Sequence, residues 1–373
     1  MSEVADARVP RRLTTADQPP AESYDVALLD LDGVVYVGPS AVPGAVSHLA
    51  AARGLGMRLA FVTNNASRPP GAVAEHLRTL GVELADTDVV TSAQAAARLV
   101  AQQVPAGARV LVVGGAGLVD ALAEHGLEAV ASLDEAPQAV VQGFDPSVGW
   151  TDLAEATYAV TAGLPWVATN RDRTIPTARG RAPGNGMLVA AVQEATGVEP
   201  LVAGKPEPAL VEESVLRTGA TRPLMVGDRL DTDISGATRA GMPSLALLTG
   251  VTTPAQLLTA RGPDRPDLVA ADLGALLVPH PAVEFDGGSA ACAGWRAEVA
   301  DGCLQLAPTE TDSDGPGSAP SLLAALRASV AAAWAAADHA GEAAGRALSV
   351  DDVADQLQVM MDAGHDEGSR HGR

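Results

Sequence analysis

Short apolar runs and helical stretches alternate along the first part of the chain. The run Val26–Leu29 is typical of a strand that is buried on both faces of a parallel sheet, and Arg58–Val62 predicts a second strand. Apolar residues at helical spacing predict helices over Ala45–Arg53 and from Pro70 to Leu80, each followed by a glycine. This β-α-β-α order predicts an α/β fold with a doubly wound, Rossmann-like parallel core sheet.

The pattern starts again near residue 92 and predicts a second, smaller α/β unit. Its predicted elements are a helix at Ala93–Gln102 and strands at Arg109–Val113, Ala139–Gln142 and Trp166–Thr169. Near Pro183 the chain returns to the main sheet, where further apolar strands start at Leu224 and Ser244. We therefore predict a core formed by residues 24–92 and 182–278, with a cap domain inserted at residues 93–181.

The two ends of the chain differ in character from this α/β region. Residues 1–23 are polar and aperiodic, which predicts a disordered segment. Residues 279–373 predict a small α+β extension with a hairpin over Trp295–Leu306 and a helix over Leu322–Ala340. We expect a polar linker at Pro308–Pro320 and a disordered tail after Met361.

Charge and composition narrow the classes of partner. The 373 residues carry a formal charge of −21, which argues against nucleic acid and anionic membranes. An anionic substrate must therefore be attracted locally, by a metal, a lysine or helix N-termini. We find no bilayer-spanning stretch and no secretory signal, and Cys292 and Cys303 lack metal-ligand spacing. These features indicate a cytoplasmic protein without structural disulfides.

Two carboxylates follow the first predicted strand. Asp30 and Asp32 are two residues apart and Gly33 comes directly behind them, so an extended chain places both acids on one side. Two close like charges are costly to ionise without a cation. Taken alone, a strand end with an Asp-Gly turn explains the pair equally well, and the rest of the chain decides between the two interpretations.

Other polar groups follow other predicted strands, and the carboxyl edge of an open α/β sheet is where ligands bind. These groups are Thr63 with Asn64, Lys205, and Asp228 with Asp233. The set suits phosphoryl transfer, with Asp30 as nucleophile and Asp32 as acid and base. Asp30, the main-chain carbonyl of Asp32 and Asp228 can bind Mg²⁺, with Asp233 holding its water shell. Thr63 and Asn64 can donate to phosphoryl oxygens, whose charge Lys205 offsets.

These residues resemble the four motifs of the haloacid-dehalogenase superfamily in order and neighbourhood. The matching stretches are Asp30-Leu31-Asp32-Gly33, Thr63-Asn64-Asn65, Gly204-Lys205-Pro206, and Gly227-Asp228 through Thr232-Asp233. The resemblance covers about residues 24–277 and implies that Asn65, too, binds substrate. Lys205 follows Asn65 by 140 positions, and this gap is where the type-two, NagD-like branch carries an α/β cap.

Within that branch the chain resembles the bacterial glycerol-3-phosphate phosphatases, which carry a C-terminal extension. The resemblance implies hydrolysis of glycerol 3-phosphate with Mg²⁺, for which Mn²⁺ or Co²⁺ can substitute, and it allows a homodimer through the cap. Asn170, Asp172 and Ile175 would overhang the site and select the leaving group. Ile175 stands where pyridoxal-phosphate enzymes of the branch have histidine, which disfavours that substrate.

Several alternatives stay open at this point. The substrate could be phosphoglycolate, a sugar phosphate or a nucleoside monophosphate, and mutase or phosphotransferase chemistry is a minor option. A receiver-like phospho-acceptor module also pairs an Asp with a metal, a Thr and a Lys, but it has no insert before the lysine. The region beyond Pro279 could instead act as a binding unit.

Overall fold

A computed structural model describes residues 11–177, 179–286, 288–309, 321–340 and 348–371, with the backbone alone for 340 and 364–371. Most of the predicted linker at Pro308–Pro320, namely residues 310–320, lies outside these ranges. Within the described ranges, no helix is both long enough and apolar enough to cross a membrane.

The described chain contains many short strands and helices. The strands are β1 Val26–Leu29, β2 Tyr36–Val37, β3 Ser40–Ala41, β4 Arg58–Thr63, β5 Val89–Thr91, β6 Arg109–Val113, β7 Glu128–Val130, β8 Ala139–Gln142, β9 Trp166–Ala168, β10 Thr174–Thr177, β11 Gly180–Pro183, β12 Leu201–Val202, β13 Pro223–Gly227, β14 Ser244–Leu247, β15 Leu268–Ala270, β16 Glu284–Asp286, β17 Ser289–Cys292, β18 Trp295–Ala300 and β19 Cys303–Pro308. The α-helices are α1 Pro20–Ser23, α2 Ala45–Gly54, α3 Pro70–Thr79, α4 Ser92–Ala101, α5 Ala116–Glu124, α6 Trp150–Thr161, α7 Asn185–Thr196, α8 Ala209–Thr218, α9 Ser235–Arg239, α10 Pro254–Leu258, α11 Leu322–Ala340 and α12 Asp351–His371.

The chain divides into two compact units, and β1 contributes residues to both. The first unit comprises residues 1–27, 32–58 and 224–373, and the second comprises residues 28–31 and 59–223. Parallel strands with helical connections occur in both units, so the predicted α/β class with a doubly wound core sheet is confirmed.

The core sheet has six strands in the order β15-β14-β13-β1-β4-β5. Every residue of β1 and β14 is buried, as is expected for parallel strands that are covered on both faces. The ladder from β13 through β14 to β15 is parallel, and so is the β4–β5 pair. The strands therefore share one direction along each ladder, which brings their carboxyl ends to the same edge.

The second unit contains a five-stranded parallel sheet in the order β12-β9-β8-β6-β7 and the antiparallel hairpin β10–β11. Its core includes Val189 and Val192 of α7 together with residues of β6, β8 and β9. We predicted a return to the core at residue 182, whereas α7 packs against α6 and β12 pairs with β9. The helix α7 stays with this sheet because its apolar face is buried there.

The C-terminal region forms a four-stranded antiparallel sheet in the order β16-β17-β18-β19, against which α11 packs. The β18–β19 hairpin turns at Asp301 and Gly302, which both have positive φ, and α11 spans the predicted residues. Residues of this region share a hydrophobic cluster with Ile234 and Leu257 of the first unit. The expected disorder after Met361 is not observed, because α12 continues to His371.

The N-terminal segment also differs from our prediction of disorder between residues 11 and 23. Arg11 forms an ion pair with Asp267 at 3.1 Å, and Ala16 exchanges backbone hydrogen bonds with His280. These contacts attach the segment to the rest of the first unit. The polar composition of the segment gave no indication of them.

Candidate active site

The predicted site residues follow the carboxyl ends of neighbouring strands. Asp30 comes directly after β1, Thr63 ends β4, and Asp228 comes directly after β13. These strands are neighbours in the core sheet, with β1 between β13 and β4. The arrangement matches the edge at which open α/β sheets bind ligands.

Lys205 forms a short ion pair with the first carboxylate. Its Nζ lies 2.6 Å from Asp30 Oδ1, and the lysine side chain is almost fully buried. The same ammonium also donates to the carbonyl oxygen of Val62 at 3.5 Å. A buried ammonium needs a charged or strongly polar partner, and this geometry directs Lys205 at Asp30. Lys205 is also the only lysine in the chain.

The side chain of Asn64 holds the backbone of Lys205 in place. Asn64 Oδ1 accepts a hydrogen bond from the Lys205 N–H at 2.9 Å, and Asn64 Nδ2 donates to the Lys205 carbonyl at 3.1 Å. Asn64 Nδ2 also donates a hydrogen bond to Asp172 Oδ2 at 3.2 Å. An amide NH₂ has only two hydrogens, so both are used within the protein. The Asn64 side chain therefore positions Lys205, and donation from Asn64 to a phosphoryl group stays a prediction.

Thr63 and Asn65 shape the loop on either side of Asn64. The buried Thr63 Oγ1 accepts a hydrogen bond from the Asn65 N–H at 3.1 Å, which leaves the hydroxyl hydrogen available as a donor. The Asn65 side chain accepts from the N–H and the hydroxyl of Ser67, both at 2.9 Å. The Asn65 side-chain oxygen thus stabilises its own turn, and the predicted contact with substrate stays a prediction.

The loop after β9 is bonded to the same residues. The buried Asn170 side chain donates to the Asn64 carbonyl at 2.7 Å and accepts from the Asp172 N–H at 3.1 Å. Asn185, which the sequence analysis did not assign, donates to the Asn170 carbonyl at 2.8 Å. Ile175 lies further along on β10, opposite Ala182 of β11. Two of the three predicted cap residues, Asn170 and Asp172, are therefore bonded to Asn64.

Asp228 is enclosed by glycines and backbone donors. Its Oδ2 accepts a hydrogen bond from the Val251 N–H at 2.6 Å, and its carbonyl accepts from the Thr252 N–H at 3.1 Å. A β-carbon at Gly33 or at Gly250 would collide with the Asp228 carboxylate, and Gly33 also has a φ of +84°. Gly33 belongs to a predicted motif, whereas no sequence signal identified Gly250 or the loop around it.

Asp233 lies on a short π-helical turn at Leu230–Ile234 that leads into α9. Its Oδ2 accepts a hydrogen bond from the Arg229 N–H at 3.1 Å. The nearby Asp231 is exposed and forms an ion pair with the Arg229 side chain at 2.7 Å. A hydrogen bond from Arg229 lowers the pKa of Asp231 despite an opposing effect of burial. Asp231 thus pairs with Arg229 and lies outside the carboxylate cluster.

Asp32 has an exposed carboxylate beside the hairpin β2–β3. The Tyr36 hydroxyl donates to Asp32 Oδ2 at 3.5 Å, and the Gly33 N–H donates to the Tyr36 carbonyl at 2.8 Å. An exposed carboxylate can exchange protons with solvent and with a leaving group, which suits the predicted role in acid–base chemistry. Tyr36 was not assigned from the sequence, although it follows the Asp-Gly turn closely.

Three carboxylates form a candidate metal site. Among the described residues, one oxygen each from Asp30, Asp228 and Asp233 lies within 4.8 Å of the others, and Asp228 and Asp233 are buried. Several close carboxylates are costly to bury without a cation, and oxygen is the ligand that Mg²⁺ prefers. The residues therefore fit a hard divalent ion. A ligand role for the Asp32 carbonyl stays a prediction.

Comparison with known proteins identifies the family. A haloacid dehalogenase-like hydrolase model matches residues 27–128, and an HAD-hydrolase-like model matches residues 202–276. The D-glycerol 3-phosphate phosphatase of Mycobacterium tuberculosis is 48% identical over 279 residues, which span 73% of this chain and 78% of that protein. The chain belongs to the haloacid dehalogenase-like hydrolases.

Solved structures support the same relationship for this haloacid dehalogenase-like hydrolase. The crystal structure of the M. tuberculosis glycerol phosphate phosphatase with calcium matches with a TM-score of 0.80 and 40% identity, over 92% of this chain and 99% of that chain. The magnesium complex of that enzyme matches with a TM-score of 0.78, at 42% identity over 89% of this chain and 94% of that chain. The acid sugar phosphatase of Staphylococcus saprophyticus is 38% identical over 62% of this chain and 89% of that protein. The family resemblance inferred from the motifs is confirmed.

Proposed function

We propose that this hydrolase is a Mg²⁺-dependent phosphatase that hydrolyses glycerol 3-phosphate through an aspartyl-phosphate on Asp30. The observation that carries the proposal is the position of Asp30, which pairs with Lys205 at 2.6 Å and also belongs to the carboxylate cluster with Asp228 and Asp233. A carboxylate beside both an ammonium and a cation site suits attack on a negatively charged phosphoryl group.

In the first step, a carboxylate oxygen of Asp30 forms a bond to phosphorus while the bond from phosphorus to the glycerol oxygen breaks. Asp32 gives its proton to the departing alkoxide, and Lys205 and the Thr63 hydroxyl hold phosphoryl oxygens. In the second step, Asp32 takes a proton from water, whose oxygen attacks phosphorus and releases Asp30 and inorganic phosphate. Bound Mg²⁺, which Asp30, Asp228 and Asp233 would hold, supplies charge neutralisation for the phosphoryl oxygens.

The substrate assignment rests on the relatives and on the loop after β9. The most similar of the relatives described above acts, by its name, on D-glycerol 3-phosphate, and the match to its structure spans 99% of that chain. The loop carries Asn170 and Asp172, which are bonded to Asn64, so we assign leaving-group selection to this loop and to Ile175. A sugar phosphate is the alternative, because the staphylococcal relative is an acid sugar phosphatase. Turnover compared across glycerol 3-phosphate, phosphoglycolate, sugar phosphates and nucleoside monophosphates separates these candidates.

We also propose the predicted organisation into core, cap and C-terminal extension, with the cap extended to include α7 and β12 and a homodimer formed through the cap. The exposed Trp150 and Tyr158 on α6 support such an interface, because large apolar side chains favour burial between subunits. A mass in solution that corresponds to one chain would contradict the dimer. Both cysteines are free thiols, which supports action in the reducing cytoplasm. A role in glycerol metabolism is proposed from the substrate of the mycobacterial relative.

The central test is the substitution Asp30→Asn. We expect phosphate release from glycerol 3-phosphate to fall by about 10³-fold or more, because an amide is a poor nucleophile. Acid quenching of the wild type followed by mass spectrometry is expected to show one phosphoryl group on the peptide that contains Asp30. The matched control is Asp120→Asn, since Asp120 is exposed on α5. Undiminished hydrolysis by the Asp30→Asn variant would remove the proposed nucleophile.

A further inference from the structure

The β10–β11 hairpin carries a local excess of positive charge. We define the basic hairpin as residues 173–183, which include Arg173, Arg179 and Arg181 and contain no Asp or Glu. Residue pairs such as Pro176 with Arg181 fix its antiparallel register. Its net charge of +3 contrasts with the −21 of the whole chain.

These three arginines differ in their pairing from several other arginines of the chain. Arg78, Arg109 and Arg217, for example, each form an ion pair with a nearby carboxylate. All three hairpin arginines are exposed, and among the described residues no acid forms an ion pair with any of them. Acids outnumber bases 46 to 25 in the chain, so pairing would be readily available by composition alone. The hairpin therefore keeps its positive charge available for an external anion.

The hairpin is joined directly to the bonded residues of the candidate site. The Gly184 N–H donates to the Arg173 carbonyl at 3.0 Å, which closes the base of the hairpin. Arg173 follows Asp172, whose carboxylate bonds to Asn64, and Asn64 in turn holds Lys205. All of these residues lie in one compact unit, and these bonds place the base of the hairpin next to the residues that hold Lys205.

We propose that the basic hairpin recruits the phosphomonoester dianion to the site through Arg173, Arg179 and Arg181. This inference rests on the proposed phosphatase function. A dianion approaching a chain of charge −21 meets repulsion, and a local cluster of guanidinium groups offsets it and raises the local substrate concentration. Exposed charges act through solvent and are screened over about 8 Å at physiological salt, so the effect depends on ionic strength.

The experiment compares two triple variants of the full chain. In one, Arg173, Arg179 and Arg181 are replaced by Gln; in the other, the same residues are replaced by Lys, which keeps the charge. We expect the Gln variant to lose about ten-fold in kcat/KM for glycerol 3-phosphate at low salt with kcat nearly unchanged, and to approach the wild type at high salt. The Lys variant is expected to keep the kcat/KM of the wild type. Arg261→Gln, at an exposed position of the other unit, is the control for a single lost charge.

Three outcomes would overturn the inference. They are a Gln variant with the same salt profile as the wild type, a Lys variant that loses as much as the Gln variant, and a fall in kcat that salt does not reduce. The proposed function fails separately, if the wild type releases no phosphate from any phosphomonoester. In that case, calorimetric titration of the same proteins with inorganic phosphate at low salt decides: weaker binding to the Gln variant supports recruitment, and equal binding contradicts it.

Discussion

Lys205 is the only ammonium side chain among the 25 basic residues, and it lies against Asp30. An ammonium is a compact point charge with three rotatable donors, whereas a guanidinium is a planar fork. The restricted space beside Asp30 and the Val62 carbonyl suits the compact group. Since the chain has no other lysine, an amine-specific reagent reports on this side chain and on the N-terminus alone.

This property makes the role of Asn64 testable. Asn64→Leu removes the bonds that hold both backbone groups of Lys205, and we expect kcat to fall by about ten- to a hundred-fold as the ammonium leaves its position. We also expect faster acetylation of Lys205, measured by peptide mass spectrometry. The control is Gln103→Leu, since the exposed Gln103 side chain donates to the Leu99 carbonyl at 3.0 Å, away from Lys205. Unchanged kcat and unchanged labelling of Lys205 would contradict a positioning role for Asn64.

Gly250 is expected to control metal binding through the Asp228 carboxylate. Gly250→Ala brings a β-carbon into collision with Asp228, so we expect the Mg²⁺ concentration for half-maximal activity to rise by about ten-fold or more. Gly54→Ala is the matched control, because nothing lies within 4 Å of the added carbon at Gly54. If both variants keep the Mg²⁺ requirement of the wild type, Gly250 does not constrain Asp228.

At the residue scale, the sequence predicted the groups that follow strands but not the groups that hold them. Asp30 and Asp228 were visible because each follows an apolar run. The hydrogen bonds from Asn64 to Asp172 and Lys205 could not be predicted, because these residues lie 108 and 141 positions away in the sequence. Gly250 carries no local signal either, since its need for glycine arises from a side chain 22 positions earlier. Such requirements exist only once the chain has folded.

At the scale of elements, apolar runs located the long strands and helices well, and short elements were missed. The strands β7 and β12 contain only three and two residues, too few for a pattern to show. The residues after Met361 were predicted as a disordered tail because they are mostly polar, although α12 extends over them. Earlier in α12, Val353, Leu357 and Met361 recur every four residues and are buried, so tertiary packing of this face stabilises the helix.

The attachment of α11 depends on one aromatic side chain. Trp334 is buried, donates from Nε1 to the Leu257 carbonyl at 3.0 Å and stacks with the Arg265 guanidinium at 5.0 Å. We expect Trp334→Ala to lower the free energy of unfolding by about 3–5 kcal/mol, as measured by urea denaturation. The control is Phe285→Ala, because Phe285 is an aromatic residue that is 49% exposed. Equal effects of the two substitutions would show that burial of Trp334 does not stabilise this region.

At the scale of the whole molecule, three distant segments of the first unit meet at one buried arginine. The Arg327 side chain of α11 donates to the Thr14 carbonyl at 2.7 Å and to the Pro281 carbonyl at 2.8 Å. Beside it, Ala16 and His280 exchange backbone hydrogen bonds. The N-terminal segment, the connection before β16 and the long C-terminal helix are thus held at a common point. A charge change there is expected to affect the stability of the fold rather than the chemistry.

His280 supplies that charge change. Its ring is buried and Nε2 contacts the Ala275 carbonyl at 3.0 Å; burial, with a smaller effect of the nearby Arg327, lowers the pKa of His280. The unfolded chain, in which histidine titrates near about 6.5, therefore binds more protons than the folded one as the pH falls. The neutral ring contributes fully to the free energy of unfolding above about pH 6.5. This contribution is lost as the pH falls from there towards the lower pKa of the folded state.

We therefore expect the free energy of unfolding to fall between pH 7 and pH 5, by at most about 1.4 kcal/mol per pH unit from this group. His280→Gln keeps a donor for the Ala275 carbonyl without a titrating ring, so its profile is expected to be flatter over the same range. Urea denaturation at a series of pH values measures the difference. His339→Gln, at an exposed position of α11, is expected to keep the slope of the wild type. If the free energy of unfolding of His280→Gln falls with pH as steeply as that of the wild type, His280 is not the source of the acid sensitivity. The carboxylates would then be its source, and not the junction that His280 shares with Arg327.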